Sequence, residues 1–277
     1  METVSPFLLS PEKTGIYESL RVYGGKIFRL EEHLDRFFES AKTVGLEILE
    51  TRAEIRRRIE KTLLNSKQKE AFLRLTWVGA PPPFDHELFI IVTKRSHPPE
   101  IYKKGVQLKT ATVRRNASHQ TFPEAKSTAC LNQVLATLEP SPPGNYETLF
   151  LNSDGYLTEA RIGNLFIVKA EVGATHASPL LLTPPAHGLL NGVTRRFVIE
   201  CARLGRIPVE ENPLMRHDLF NADEAFLTNT SWEILPIREV DGRTIGAEIP
   251  GPVTKRLQIL FQKGIQREIQ NQKETRN

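Results

Sequence analysis

The sequence predicts an α+β fold. Strand-like runs are numerous, helical patterns are interspersed among them irregularly, and no regular strand–helix–strand alternation repeats along the chain. Its 277 residues are 39% hydrophobic and 25% charged, which suits a folded chain of one large domain or two of common size. No internal repeat of solenoid period is present.

The elements follow in order. Ile16 to Tyr23 is rich in strand formers, Gly24-Gly25 turns the chain, and Lys26 to Arg29 returns as a hairpin. Leu30 to Val44 is helical, because Leu30, Leu34, Phe37, Phe38, Ala41 and Val44 share one face, and Gly45 stops it. Ala53 to Asn65 is a second helix with Ile55, Ile59 and Leu63 on one side. Phe72 to Val78 and Glu87 to Lys94 are strands around a turn containing Pro81-Pro82-Pro83, and Val106 to Arg114 alternates like another strand. The polar stretch Arg115 to Pro123 reads as a crossover, separating a domain of residues 1–114 from one of residues 124–277.

Beyond it, Thr128 to Leu138 is a short helix ended by the prolines from Pro140 to Pro143. Strands are predicted at Thr148 to Asn152, Gly155 to Thr158, Asn164 to Lys169, Leu180 to Thr183, Glu224 to Asn229 and Leu235 to Val240. Gly192 to Leu204 is a helix stopped by Gly205, Asp241-Gly242 is a turn, and a last helix runs from Val253 to Ile269.

Composition removes several function classes. The chain has 37 basic and 33 acidic residues, a net charge of +4, and the basic residues are scattered. The densest cluster, Arg56-Arg57-Arg58, lies inside a helical pattern, so no nucleic-acid partner is expected and anionic small molecules account for the mild excess. No run approaches the ~18 apolar residues of a membrane span. Met1 to Ser10 lacks the basic start and apolar core of a signal peptide, and two cysteines, Cys130 and Cys201, form no disulfide framework. A cytoplasmic location is the expectation. The sequence holds no H-E-x-x-H, paired C-x-x-C, Walker loop or G-x-S-x-G, and its seven histidines are dispersed, so no metal site is expected.

Weak features in a suggestive order remain. Lys126 follows the crossover at the start of an apolar helix; it is either a solvated lysine or an amine nucleophile whose neutral form burial favours. Glu159 closes the run Asp154-Gly155-Tyr156-Leu157-Thr158-Glu159, either as an exposed strand-end carboxylate or as a partner for a cofactor nitrogen. Asn191-Gly192-Val193-Thr194-Arg195 opens a helix, an ordinary start or an anion site made of free N–H groups and the helix dipole. Thr228-Asn229-Thr230-Ser231 is either a polar turn or a set of donors for phosphate or carboxylate.

These segments, in this order and spacing, resemble the class IV aminotransferases, pyridoxal phosphate enzymes of fold type IV that include branched-chain and D-amino acid aminotransferases and aminodeoxychorismate lyase. The likeness runs from about Gly15 to Lys255. It is carried by Gly15 to Tyr23, by Ile27 to Arg36, by Ala125-Lys126-Ser127 with Leu131 to Ala136, by Gly155 to Glu159 with Asn164-Leu165-Phe166, and by Leu190 to Arg195 with Thr230-Ser231 through Pro236. The resemblance implies a two-domain chain with the cofactor, pyridoxal 5'-phosphate, in the cleft between domains, and a homodimer whose partner chain contributes to each site. It implies that Lys126 forms the Schiff base and shuttles a proton, and that Glu159 pairs with the pyridine nitrogen. Arg36, the Val193 and Thr194 backbone, and Thr230 would hold the phosphate. Ser231 would offer a backbone N–H beside the substrate carboxylate, with Tyr17 and Arg74 as further substrate contacts. The implied activity is transamination between an amino acid and a 2-oxo acid, of branched-chain or D-amino acid type. The alternatives are lyase action releasing pyruvate, and a scaffold that kept the fold without turnover.

The sequence also departs from the family. The segment before Gly15 is short and has little strand pattern. Leu131 stands where branched-chain enzymes tend to have tyrosine, and Gly79 to His86 lacks the arginine that D-amino acid enzymes use. Arg161 follows Glu159 closely, a cofactor contact or a solvated neighbour, and Pro140 to Pro143 cut short a helix that relatives continue.

Overall fold

A computed structural model describes residues 14–79, 86–117, 120–169 and 179–274. The segment before Thr14 and the turn with Pro81-Pro82-Pro83 lie outside them. The chain forms two compact units that interleave in sequence. One holds the residues up to Arg95, Glu124–Cys130, and the residues from Glu268 onward; the other holds Ser96–Pro123 and Leu131–Arg267.

The first unit contains β1 (Thr14–Tyr23), β2 (Lys26–Ile27), α1 (Leu30–Thr43), α2 (Arg52–Ser66), β3 (Ala71–Gly79) and β4 (Glu87–Thr93). The strands form an antiparallel sheet in the order β2-β1-β3-β4. The alternation of β1 sorts its residues between two faces. Ile16, Leu20 and Val22 join Leu73, Leu75 and Trp77 of β3 in a core with Leu34 and Phe37 of α1 and Ile55 and Ile59 of α2. Each such fully buried aliphatic side chain contributes ~1.5–3 kcal/mol by leaving water. Helix α2 begins with a capping box, the Thr51 hydroxyl accepting from Glu54 N–H while the Glu54 carboxylate accepts from Thr51 N–H, a pairing absent from the sequence reading.

Residues 124–130 group with this first unit because they hydrogen-bond to the edge of β1. Thr128 N–H donates to Gly15 O at 2.7 Å, Gly15 N–H donates to Thr128 Oγ1 at 2.9 Å, and Ile16 and Ser127 form a bridge. A Cβ at Gly15 would lie 2.8 Å from Trp77 O and 3.2 Å from Thr128 Cγ2, so the close approach needs glycine. That pairing places Lys126 with β1 rather than with the residues that follow it, and it delays the helix expected from Thr128 until Leu131.

The second unit contains α3 (Pro99–Lys104), β5 (Val106–Thr110), α4 (Leu131–Leu138), β6 (Asn145–Leu151), β7 (Leu157–Ala160), β8 (Asn164–Lys169), β9 (Leu180–Thr183), α5 (Val193–Leu204), β10 (Val209–Glu211), α6 (Arg216–Phe220), β11 (Glu224–Asn229), β12 (Glu233–Val240), β13 (Arg243–Thr244) and most of α7 (Pro252–Glu274). The strand order is β10-β9-β8-β11-β12-β5-β6-β7, and β7 pairs back onto β8, closing a ring of six strands among the described residues. Closure leaves an apolar interior that includes Leu108, Leu149, Leu165, Ile167, Leu227, Leu235 and Ile237. The expected strand to Arg114 ends at Thr110, whose N–H and hydroxyl both donate to Asp241 at 2.6 Å. The short α3, β10 and α6 were not predicted; runs of six, three and five residues are too brief to display a period.

On the outer face, the Glu224 carboxylate of β11 accepts Val253 N–H at 2.8 Å, Thr254 N–H at 2.7 Å and the Thr254 hydroxyl at 2.6 Å. A buried carboxylate thereby satisfies the first turn of α7.

Candidate active site

Lys126 is held by its backbone from two sides. Its N–H donates to Ser40 Oγ of α1 at 3.0 Å, and its carbonyl accepts Tyr17 N–H of β1 at 3.0 Å. Its Nζ lies 4.7 Å from the centroid of the Tyr17 ring, and the Arg74 guanidinium carbon lies 3.7 Å from the same centroid. Tyr17, Ser19, Arg74 and Thr76 share the face of the sheet opposite the helices, since Tyr17 pairs with Thr76 and Ser19 with Arg74. Three predicted residues, Tyr17, Arg74 and Lys126, therefore meet. The π face of tyrosine attracts both cations.

Arg36 sits on the other face, in a cluster that sequence reading missed. Glu18 occupies a core-phase position of β1 between Ile16 and Leu20 and is fully buried. Its carboxylate accepts from Arg36 Nε at 2.6 Å, Arg36 Nη2 at 2.8 Å and His33 Nδ1 at 2.7 Å. Burial by itself raises the Glu18 pKa; the charges and hydrogen bonds of Arg36 and His33 overturn that and hold the carboxyl well below the usual carboxylate range. Burial lowers the His33 pKa against the pull of Glu18, and its Nδ1–H donates to the Glu18 carboxylate. The signal in the sequence was a carboxylate in the apolar phase of a strand, with His33 and Arg36 three apart on the buried side of α1.

In the second unit, Glu159, Asn164 and Thr228 are register partners across β7, β8 and β11 and so point to one face. Glu159 is 6% exposed. Its Oε1 lies 2.7 Å from Arg115 Nη2 and accepts Leu190 N–H at 3.3 Å, and its Oε2 accepts Asn164 Nδ2–H at 3.3 Å. Asn164 also donates to Leu190 O at 2.8 Å, tying the row to the segment that leads into α5. A Cβ at Gly192 would lie 2.3 Å from Asn164 Oδ1, so only glycine lets that segment approach. Arg115 carries no sequence signal, being one polar residue in a polar stretch. Arg161, the other arginine near Glu159 in sequence, instead pairs with Glu147 at 3.2 Å.

Val193 and Thr194 open α5, where Gly192 provides no side-chain cap to the first N–H groups. Thr194 is buried, and Thr228 Oγ1 is buried with no hydrogen-bond partner among the described residues. Thr230 and Ser231 follow β11. Here the structure alters the reading of Ser231: its backbone N–H, expected to face a substrate, donates to Asn229 Oδ1 at 2.8 Å, and Trp232 N–H donates to the same oxygen at 2.7 Å. The Ser231 hydroxyl instead lies 2.8 Å from His97 Nε2. Leu131, at the start of α4, is 67% exposed.

Comparison with known proteins identifies the family. The amino-transferase class IV family matches residues 15–240. The chain is 32% identical over 258 residues to the branched-chain-amino-acid aminotransferase of Pseudomonas aeruginosa, covering 88% of this chain and 81% of that one. It is 28% identical to a D-alanine aminotransferase of Bacillus licheniformis, over 91% of this chain and 87% of the other. Among solved structures, the T.th. branched-chain amino acid aminotransferase with pyridoxamine 5'-phosphate superimposes with a TM-score of 0.82 at 28% identity, covering 90% of this chain and 84% of that one. The fold is thus that of the fold type IV enzymes, and the chain belongs to the class IV aminotransferases.

Proposed function

We propose that the chain exchanges an amino group between an amino acid and a 2-oxo acid, using pyridoxal phosphate held through Lys126. The setting of Lys126 carries the reading: a lysine fixed by its backbone on both sides, with its amine over an aromatic ring and a second cation on the same ring. The residues fit the cofactor. The start of α5 presents N–H groups without a side-chain cap, Thr228 Oγ1 lacks a partner among the described residues, and Glu159 is a buried carboxylate paired with Arg115.

Bound pyridoxal phosphate supplies an electrophilic carbon and an electron-accepting ring. Lys126 Nζ would be the amine that holds the cofactor and the base that carries a proton to and from the substrate. Glu159, fixed by Arg115, Asn164 and Leu190, would be the carboxylate that pairs with the cofactor's ring nitrogen. The Val193 and Thr194 N–H groups, Thr230 and Arg36 hold the phosphate, with Glu18 fixing the direction of the Arg36 guanidinium. Tyr17, Arg74 and Ser231 contact the substrate.

The likeness to the family supports a homodimer, and two cysteines without a disulfide framework support a reducing, cytoplasmic location. Relatives named for branched-chain and for D-alanine substrates match at comparable identity, so the test covers both. Purified protein with added pyridoxal phosphate is treated with borohydride and its peptides are weighed, and turnover is followed with L-leucine or D-alanine against 2-oxoglutarate. Covalent label on Lys126, with turnover of one of the two donors, is expected. Lys126→Ala should abolish both label and turnover. Label elsewhere, or turnover retained by Lys126→Ala, overturns the reading.

A further inference from the structure

We infer that His97 is a positioning residue for the substrate carboxylate, acting by turning the Ser231 hydroxyl outward as a donor; this rests on the reading that Ser231 contacts substrate. With the Ser231 backbone N–H committed to Asn229, the hydroxyl is the donor this residue can offer an arriving anion. That hydroxyl lies 2.8 Å from His97 Nε2. One hydrogen lies between the two atoms, supplied by the hydroxyl or by Nε2 according to the imidazole tautomer, and which atom supplies it decides what Ser231 presents. If Nε2 accepts, the hydroxyl hydrogen points at the imidazole and the oxygen lone pairs face the anion. If Nε2 carries the hydrogen, it donates to Oγ, and the hydroxyl hydrogen turns toward the anion. A carboxylate selects the second arrangement.

The imidazole is braced for this role. The His97 ring packs edge-on against Trp232, with centroids 6.4 Å apart at 67°, and the Trp232 ring packs against Tyr146 at 5.6 Å. Trp232 is buried, and its N–H is tied to the same Asn229 oxygen as that of Ser231. Asn229 is anchored in turn by donating Nδ2–H to Ile162 O at 2.9 Å. Loop, tryptophan and imidazole thus form one assembly, and the histidine reaches the serine from a segment more than a hundred residues earlier in the chain.

The test measures binding of 4-methyl-2-oxopentanoate to the cofactor-loaded enzyme by tryptophan fluorescence, with KM and kcat measured in parallel. His97→Ala should raise the dissociation constant and the amino acid KM about tenfold or more, the scale of a hydrogen bond to a charged group, with kcat within about threefold. His97→Gln, which always offers an amide N–H, should recover most of the loss. In a Ser231→Ala background, His97→Ala should add little. A dissociation constant unmoved by His97→Ala, additive losses in the double variant, or a glutamine variant as weak as the alanine one overturns the inference. If borohydride labels Lys126 but binding ignores Ser231, the inference falls while the transaminase reading stands. If Lys126 takes no label, that reading itself falls.

Discussion

Replacing Glu18 by Gln keeps the shape of a fully buried side chain and removes its charge. The carboxylate accepts two hydrogen bonds from Arg36 and one from His33. A glutamine keeps one acceptor oxygen and turns an NH₂ toward donors, so the guanidinium loses its counter-charge and most of its bonds. Breaking a buried pair from one side costs about 3–5 kcal/mol, which corresponds to a fall in melting temperature of about 6–20 °C for a chain of this class. Urea unfolding at pH 7 measures the loss directly. The double variant Glu18→Leu/Arg36→Met, which leaves no orphan charge, should regain much of that stability while still binding pyridoxal phosphate poorly. A loss below about 1 kcal/mol for Glu18→Gln would refute the reasoning that the buried Arg36 depends on this carboxylate. The pH dependence gives a second reading. A carboxyl held below its ordinary value of 4.5 contributes stability that is present above that pH and lost as pH falls toward the folded value. His33, lowered from 6.5, acts in the same sense, because the unfolded chain takes up its proton first. Stability should therefore decline from pH 6.5 downward, by up to about 1.4 kcal/mol per pH unit for each proton taken up, and Glu18→Gln should flatten the part below pH 4.5.

Further outcomes follow from other contacts. Glu159→Gln should keep bound cofactor, seen by its absorbance, and lower kcat about a hundredfold or more, since a neutral amide does not hold the ring proton; normal turnover would contradict its role. Gly192→Ala drives a methyl group against Asn164 Oδ1 and should weaken cofactor binding at least tenfold in an absorbance titration, whereas an unchanged dissociation constant would show that this approach is not needed. Glu224→Ala removes the carboxylate that caps α7 and should cost about 2–4 kcal/mol in urea unfolding, with kcat of the folded enzyme unchanged. If Thr254→Ala alone cost as much as Glu224→Ala, the cap would not be the cause.

Local periodicity made most elements legible. The apolar face of α1, the Gly24-Gly25 turn, the alternation of β1 and β3, and the glycine-led start of α5 depend on neighbours within a few residues, and the sequence displays them. Helix α7 runs five residues past its expected end at Ile269, into a polar stretch. There Arg29 Nε–H donates to Glu268 at 3.0 Å and Gln272 Nε2–H donates to Ile27 O at 3.3 Å, contacts with residues over two hundred positions away.

The site divides in the same way. Residue types and spacing along the chain left Lys126, Glu159 and the α5 start as weak features, and only the resemblance to a family gave them roles. They did not reveal that Lys126 would be pinned between Ser40 and Tyr17, or that Arg36 would be gripped by Glu18. Nor did they show that Arg115 would sit against Glu159 or that His97 would reach Ser231. Each of these depends on strand pairing or packing between segments distant in sequence, and hydrogen bonds to an ionised or hydroxyl group depend on direction at the scale of an ångström. The sequence by itself determined which chemistry-bearing residues the chain carries and the local elements that present them. The tertiary structure decided which neighbours orient those residues, because only strand pairing and helix packing bring their partners within hydrogen-bonding distance.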